Sequence, residues 1–202
     1  MSNTGDPSDQ EILARSDTQP PPGIRAGNLI WVLLALSVMT GAIVSRNDWF
    51  LNFVHVMAGV MWTGIDLFMG FVIGPIMRLI DANSRRAIVT RLMPRMIFIM
   101  PTLAIVTTTA GWYLAEWRGY FDLDYPDLGW VVASLVIVAV LTVQGLCILL
   151  PLNLRVYFEI RSETPDMDRV SRWMRYYVWV VASQGLMQIS IIIIMARFVT
   201  GL

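Results

Sequence analysis

The sequence contains no lysine, so all 15 of its basic residues are arginines. Without a lysine amine, the chain cannot form a Schiff base or use an amine as a nucleophile. The 15 basic residues are balanced by 15 acidic ones, and the formal net charge is zero. Because surfaces that bind nucleic acid are strongly basic, this balance argues against nucleic acid as a partner.

Cysteine and histidine occur once each, as Cys147 and His55. A single cysteine excludes a disulfide framework, a CxxC redox pair and the CxxCH attachment site of a c-type haem. One histidine and one cysteine cannot complete a structural zinc site. The sequence also has no nucleophile paired with a base, no phosphate-binding glycine loop and no paired carboxylates, which argues against a hydrolase.

Long hydrophobic segments are abundant. Hydrophobic residues make up 56% of the chain, charged residues 15%, and the mean hydropathy is +0.60, as is typical of integral membrane proteins. Five segments come close to or exceed the ~20 apolar residues that a helix needs to cross a bilayer, namely 27–44, 50–77, 96–115, 128–151 and 177–199. The prediction is an all-α integral membrane helical bundle over residues 27–202, with five transmembrane helices arranged as one N-terminal helix plus a four-helix core.

The distribution of arginine predicts how these helices are oriented. The loops after the second and fourth helices are rich in arginine, whereas the connection between the third and fourth is mainly acidic. Arginine-rich loops are cytoplasmic, so residues 1–26, rich in Ser, Asp, Thr and Pro, are expected to form a disordered cytoplasmic tail. Leu202 is then expected on the periplasmic side. Segments 82–95 and 160–176 are predicted to be basic amphipathic approaches to the third and fifth helices.

The second predicted helix contains the histidine and the aspartate that lies deepest in any hydrophobic segment. At about 100° per residue, one side of this helix presents Asn52, His55, Gly59, Trp62, Asp66, Met69 and Ile73. An ionisable group in a membrane helix is costly unless it faces the bundle interior or a hydrated cavity. We therefore predict that this side faces inward.

The two ionisable residues on this side are predicted to form separate sites. With a rise of ~1.5 Å per residue, His55 lies roughly 8 Å below the outer end of its helix, and Asp66 lies roughly 16 Å deeper. Asp66, Gln144 and Gln188 are the candidates for a proton or ion relay at the inner level. A structural hydrogen bond, or an ion pair with Arg95, is the alternative for Asp66.

His55 is the candidate cofactor and metal ligand. A neutral imidazole can bind haem iron or copper, can relay a proton, or can simply form a structural hydrogen bond across the bundle. A six-coordinate haem needs a second protein ligand, for which methionine is the natural substitute here. Met195, on another helix in the same outer half, is the preferred partner, with gap-filling packing as the alternative.

The segment His55-Val-Met-Ala-Gly-Val-Met-Trp62-Thr-Gly64 resembles the His-x6-Trp-x-Gly helix of a group of bacterial membrane proteins. The group includes the N-terminal membrane domain of the cytochrome-linked urate oxidase, the copper-resistance D-type proteins and the haem-binding protoporphyrinogen oxidase. The resemblance implies a helical bundle in the bacterial inner membrane in which His55 binds b-type haem or a metal. Trp62 and Gly64 would shape the pocket, and Gly59 shares its face.

Three functions remain open from the sequence. The first is a haem b protein that passes electrons between the quinone pool and a membrane or periplasmic redox partner, at most as an oxidoreductase subunit. The second is a copper or proton transporter, and the third is a cofactor-free structural subunit of a membrane complex. Gly70 and Gly74 form a GxxxG pattern that permits close helix packing, either within the bundle or in a homo-oligomer.

Overall fold

The computed structural model describes residues 27–162 and 164–200. All regular secondary structure in these ranges is helical, as the sequence predicts. The predicted disordered tail, residues 1–26, lies outside the described residues.

Along the described residues, five long helices follow one another, with a short 3₁₀-helix, Tyr120–Asp122, between the third and the fourth. Helix α1 is Asn28–Val44 and α3 is Ala82–Trp117. Helix α2 consists of an α-helical segment Asp48–Phe68, a π-helical segment Met69–Ile73 and a second α-helical segment Gly74–Leu79. Helix α4 has the same composition, with Asp127–Val143, π-helical Gln144–Leu149 and Leu150–Arg161. Helix α5 is Met167–Thr200.

Polar residues define where two of these helices begin. The Asn47 side chain accepts a hydrogen bond from the backbone N–H of Phe50 at 2.9 Å and caps α2. At the start of α5, the Asp166 carboxylate accepts the backbone N–H of Arg169 at 2.9 Å. This bond lowers the pKa of Asp166 from its ordinary value, because it stabilises the ionised carboxylate.

Four of the helices are long and apolar enough to cross a membrane, which indicates a multi-pass membrane protein. The spans are Asp48–Met77, Ser84–Trp117, Asp127–Arg161 and Met167–Thr200. Helix α1 is apolar but has only 17 residues, or about 25 Å of helix against a hydrocarbon thickness of ~30 Å. The predicted fifth crossing therefore stays a prediction.

Helices α3 and α5 are much longer than the sequence predicts. They have 36 and 34 residues, so each exceeds the hydrocarbon thickness by about 20 Å. The additional length comes from segments 82–95 and 160–176, most of which is continuous with the membrane helices instead of lying beside them. A hydrophobic cluster joins these ends to the end of α4 and consists of Val89, Met93, Val156, Tyr157, Ile160 and Val170.

The helices pack as two pairs with α1 at the side. Helix α2 makes its most extensive contact with α3, whereas α5 packs on α4 and closes against α2. Helix α1 packs on α2 and α3 through a buried cluster of Met39, Ala42, Leu51, Val54, Ala58, Val106, Ala110 and Leu114. This cluster occupies the half of α2 that contains His55, so α1 stabilises the histidine end of the bundle.

Two arginines form ion pairs between helix ends on the predicted outer side. Arg118, just after α3, donates two hydrogen bonds to Asp48 at 2.8 and 3.0 Å. Arg197 of α5 lies 3.4 Å from the Asp127 carboxylate and stacks 4.9 Å from the centre of the Trp130 ring. The first contact links α2 to α3 and the second links α5 to α4, so each helix pair is connected by an ion pair at this end.

Candidate functional site

The predicted inward side of α2 is the side that the bundle covers. Trp62 and Asp66 are each 5% exposed, and His55 and Gly59 are half-buried. On the other side of the helix, Val60 is 61% exposed and lies where lipid would be. The helical periodicity of the sequence therefore identifies the covered face correctly.

His55 is held by the backbone of α3. Its Nδ1 atom lies 2.9 Å from the carbonyl oxygen of Thr107. A carbonyl oxygen can only accept, so Nδ1 carries the proton and donates this bond. In the neutral ring Nε2 is then the basic nitrogen, and it has no hydrogen-bond partner among the described residues. This is the arrangement in which a histidine is oriented to bind a metal centre.

Gly111 provides the space that the His55 ring occupies. A Cβ atom built at position 111 would lie 2.7 Å from Cε1 and 3.0 Å from Nδ1 of His55. Contacts this short do not occur without movement of one partner, so the ring fits against α3 because position 111 has no side chain. The sequence gives no sign that the neighbour of Gly111 is His55.

The other predicted members of the outer site, Gly59, Gly64 and Met195, lie in different surroundings. A Cβ at Gly59 would meet Thr107 Cγ2 at 3.5 Å, so Gly59 lies close to the residue that holds His55. Gly64 is exposed and a Cβ there would meet no described atom within 4 Å, so its part in a pocket stays a prediction. Met195 is half-buried on α5, and its ligation of a haem stays a prediction.

Trp62 belongs to the inner level and not to the surroundings of His55. Its ring is buried with Ala104 of α3 and Leu141 of α4. Asp66 lies one turn further along α2, and both residues line the same cavity.

Asp66 is bound by a residue of α5. The Gln188 amide donates from Nε2 to Asp66 Oδ2 at 2.7 Å, and both side chains are buried. Two of the predicted relay residues are therefore in direct contact. Arg95, the alternative partner, is exposed, and none of the salt bridges in the described part of the chain includes Asp66.

Gln144, the third predicted relay residue, is not bonded to Asp66. Its Nε2 lies 3.4 Å from the Ser183 hydroxyl, and its Oε1 is buried without a partner. It is the first residue of the π-helical segment of α4. The neighbouring amide is Gln184, which donates to the carbonyl of Leu141 at 3.1 Å.

A cavity of about 40 Å³ lies between α2, α3, α4 and α5 beside Asp66. Two further polar residues, Asn153 and Tyr177, line it. Sequence reasoning missed both residues. Asn153 lies two positions after the fourth apolar segment, and Tyr177 begins the fifth, so each looks like an ordinary boundary residue.

The described residues contain no group of three or more His, Cys, Asp and Glu side chains that could hold a metal ion. A metal bound by several side chains of these types is therefore not supported by this part of the chain, whereas axial ligation of a haem needs only one histidine. No protein-family model, curated protein or solved structure matches the chain, so the residues and their contacts alone indicate what the site can do.

Proposed function

We propose that the protein binds b-type haem through His55 and passes electrons between the quinone pool and a redox partner in or outside the membrane. The observation that carries the proposal is the orientation of His55, whose Nδ1 donates to the Thr107 carbonyl and leaves Nε2 without a partner. Haem-ligating and metal-ligating histidines are oriented by such a bond from their second nitrogen.

The residues around His55 fit axial ligation. The Thr107 bond fixes the tautomer, and the missing side chain at Gly111 leaves the space that the ring occupies beside α3. Haem, when bound, would supply one-electron redox chemistry, and the axial ligand and its hydrogen bond would tune its potential. The protein's own contribution is to fix the ring and to supply an apolar environment from α1, α2 and α3.

A reduced-minus-oxidised absorption spectrum of the purified protein tests this proposal. We expect a b-type band in the wild type and its loss in His55→Ala, because the chain has no second histidine. Met57→Leu is the matched control, since Met57 is an exposed neighbour on the same helix. A wild type without the band, or an unchanged band in His55→Ala, would refute haem ligation by His55.

The proposed orientation places the connection between α3 and α4 in the periplasm and the connection between α4 and α5 in the cytoplasm of a bacterial inner membrane. The arginine bias of the loops supports it. In a Cys147→Ser background, Asp124→Cys should react with a membrane-impermeant maleimide in intact spheroplasts. Ser162→Cys should react only after the membrane is permeabilised. Labelling in the reverse order would invert the topology.

A further inference from the structure

We propose that the cavity beside Asp66 holds water that delivers a proton from the inner side of the bundle to the Asp66 carboxylate. The proton comes from the aqueous phase on that side and forms an O–H bond on Asp66. This site is distinct from His55 and does not depend on a haem being bound.

Buried acceptors without donors are the first observation behind this proposal. Asn153 is 7% exposed and Gln188 is 2% exposed, yet Asn153 Oδ1 and Gln188 Oε1 have no hydrogen-bond partner. Each nearby amide already uses one of its N–H groups, since Gln188 donates to Asp66 and Gln184 to Leu141. Asn153 lines the cavity, and its unpaired acceptor is satisfied by a ligand that donates, for which water is the simplest choice.

The size of the cavity agrees with water as its occupant. A cavity needs roughly 10–15 Å³ to hold one water molecule, so about 40 Å³ has room for two or three. Asp66, Asn153 and Tyr177 all line this space. Water there has the polar partners that a buried water molecule requires.

The negative charge of ionised Asp66 indicates which ion the water in the cavity would deliver to it. A carboxylate in a membrane interior is stable when a cation pairs with it or when it takes up a proton. Among the described residues, the hydrogen bond to Asp66 comes from the neutral amide of Gln188. Tyr177 is the one other titratable residue that lines the cavity, and α3 and α4 contribute none. Because none of these side chains supplies a positive charge, a proton is the cation that can neutralise Asp66.

The direction of access follows from the positions of Asn153 and Tyr177. Tyr177 is roughly 16 Å nearer the inner end of α5 than Gln188 is, and Asn153 lies in the last segment of α4. Both residues line the cavity together with Asp66, and the Tyr177 hydroxyl can donate a hydrogen bond to water there. Polar groups therefore extend from Asp66 toward the inner side.

Infrared difference spectra between acidic and neutral pH test the proposal on the purified full-length protein, with or without haem. We expect a carboxylic-acid carbonyl band that shifts in heavy water, disappears in Asp66→Asn and persists in Asp124→Asn, an exposed control. Asn153→Leu fills the polar end of the cavity and should slow hydrogen exchange at this band.

Three outcomes would overturn the proposal. Identical spectra for wild type and Asp66→Asn would mean that Asp66 does not exchange a proton. Unchanged exchange in Asn153→Leu would exclude the cavity as the route, and displacement of the band by sodium at constant pH would identify a cation site instead. If Asp66→Asn does not fold, Asp66→Glu retains the carboxyl group, and a band that moves with this substitution supports the assignment.

Discussion

Replacing Gly111 by alanine is expected to displace His55 from α3 and to remove most of the bound haem. The new methyl group would lie 2.7 Å from His55 Cε1, so either the ring or the α2–α3 contact must move. Such overpacking costs about 1–3 kcal/mol, which corresponds to roughly a 5- to 150-fold loss of haem affinity if the displaced ring carries the cost. Haem titration of the purified variant measures this loss.

Gly64→Ala is the matched control for this substitution. It adds the same methyl group to the helix that contains His55, at a position where nothing lies within 4 Å. Its haem affinity should equal that of the wild type. If both glycine variants bind haem normally while thermal unfolding of Gly111→Ala is also unchanged, then His55 does not depend on the space at position 111.

Replacing Gln188 by leucine is expected to destabilise the bundle by about 1.5–3 kcal/mol, the usual contribution of a hydrogen bond to a charged group. The variant removes the 2.7 Å bond to Asp66 and leaves a buried carboxylate without that donor. Thermal unfolding in detergent should show a lower midpoint than in the wild type.

Gln144→Leu is the comparison for Gln188→Leu, because its amide makes only a long contact of 3.4 Å with Ser183. We expect a much smaller loss of stability there. In an Asp66→Asn background the cost of Gln188→Leu should also fall, since the charge has been removed. Equal losses of stability for the two glutamine variants would mean that the bond to Asp66 stabilises the bundle no more than the 3.4 Å contact of Gln144 does.

The sequence predicts the covered face of α2 well, because one rule governs it. Polar and ionisable residues recur at helical spacing, and a membrane helix turns such residues toward protein and away from lipid. The same rule places Asp66 and Gln188 in the interior, where they meet. Periodicity assigns each residue to a side of its own helix, so it correctly groups residues that share a face.

The sequence does not predict which neighbour each residue meets. Trp62 shares a face with both His55 and Asp66, and only the packing of α3 and α4 around it decides that it belongs to the inner level. Gly111 has the same limitation, since a glycine in an apolar helix does not indicate which ring will fill its space. Gly64 is the opposite case. The His-x6-Trp-x-Gly pattern groups it with His55 and Trp62, yet it lies exposed.

Hydropathy underestimates the lengths of α3 and α5 for a related reason. Hydropathy finds where a helix meets lipid, and it gives no signal where a helix continues into water. The inner ends of both helices bury Val89 and Val170 against α4, and this packing continues the helices through arginine-rich sequence.

The π-helical segment Gln144–Leu149 lets α4 hold one residue more than a regular helix without changing which way its inner part faces. A π turn holds more residues than an α turn, so it is equivalent to an inserted residue that the helix absorbs by widening. Deleting one residue there would let α4 close into a regular helix and leave Asn153 facing the cavity. Deleting one residue between Leu149 and Asn153, in the α-helical segment, would instead rotate Asn153 by about 100° away from the cavity.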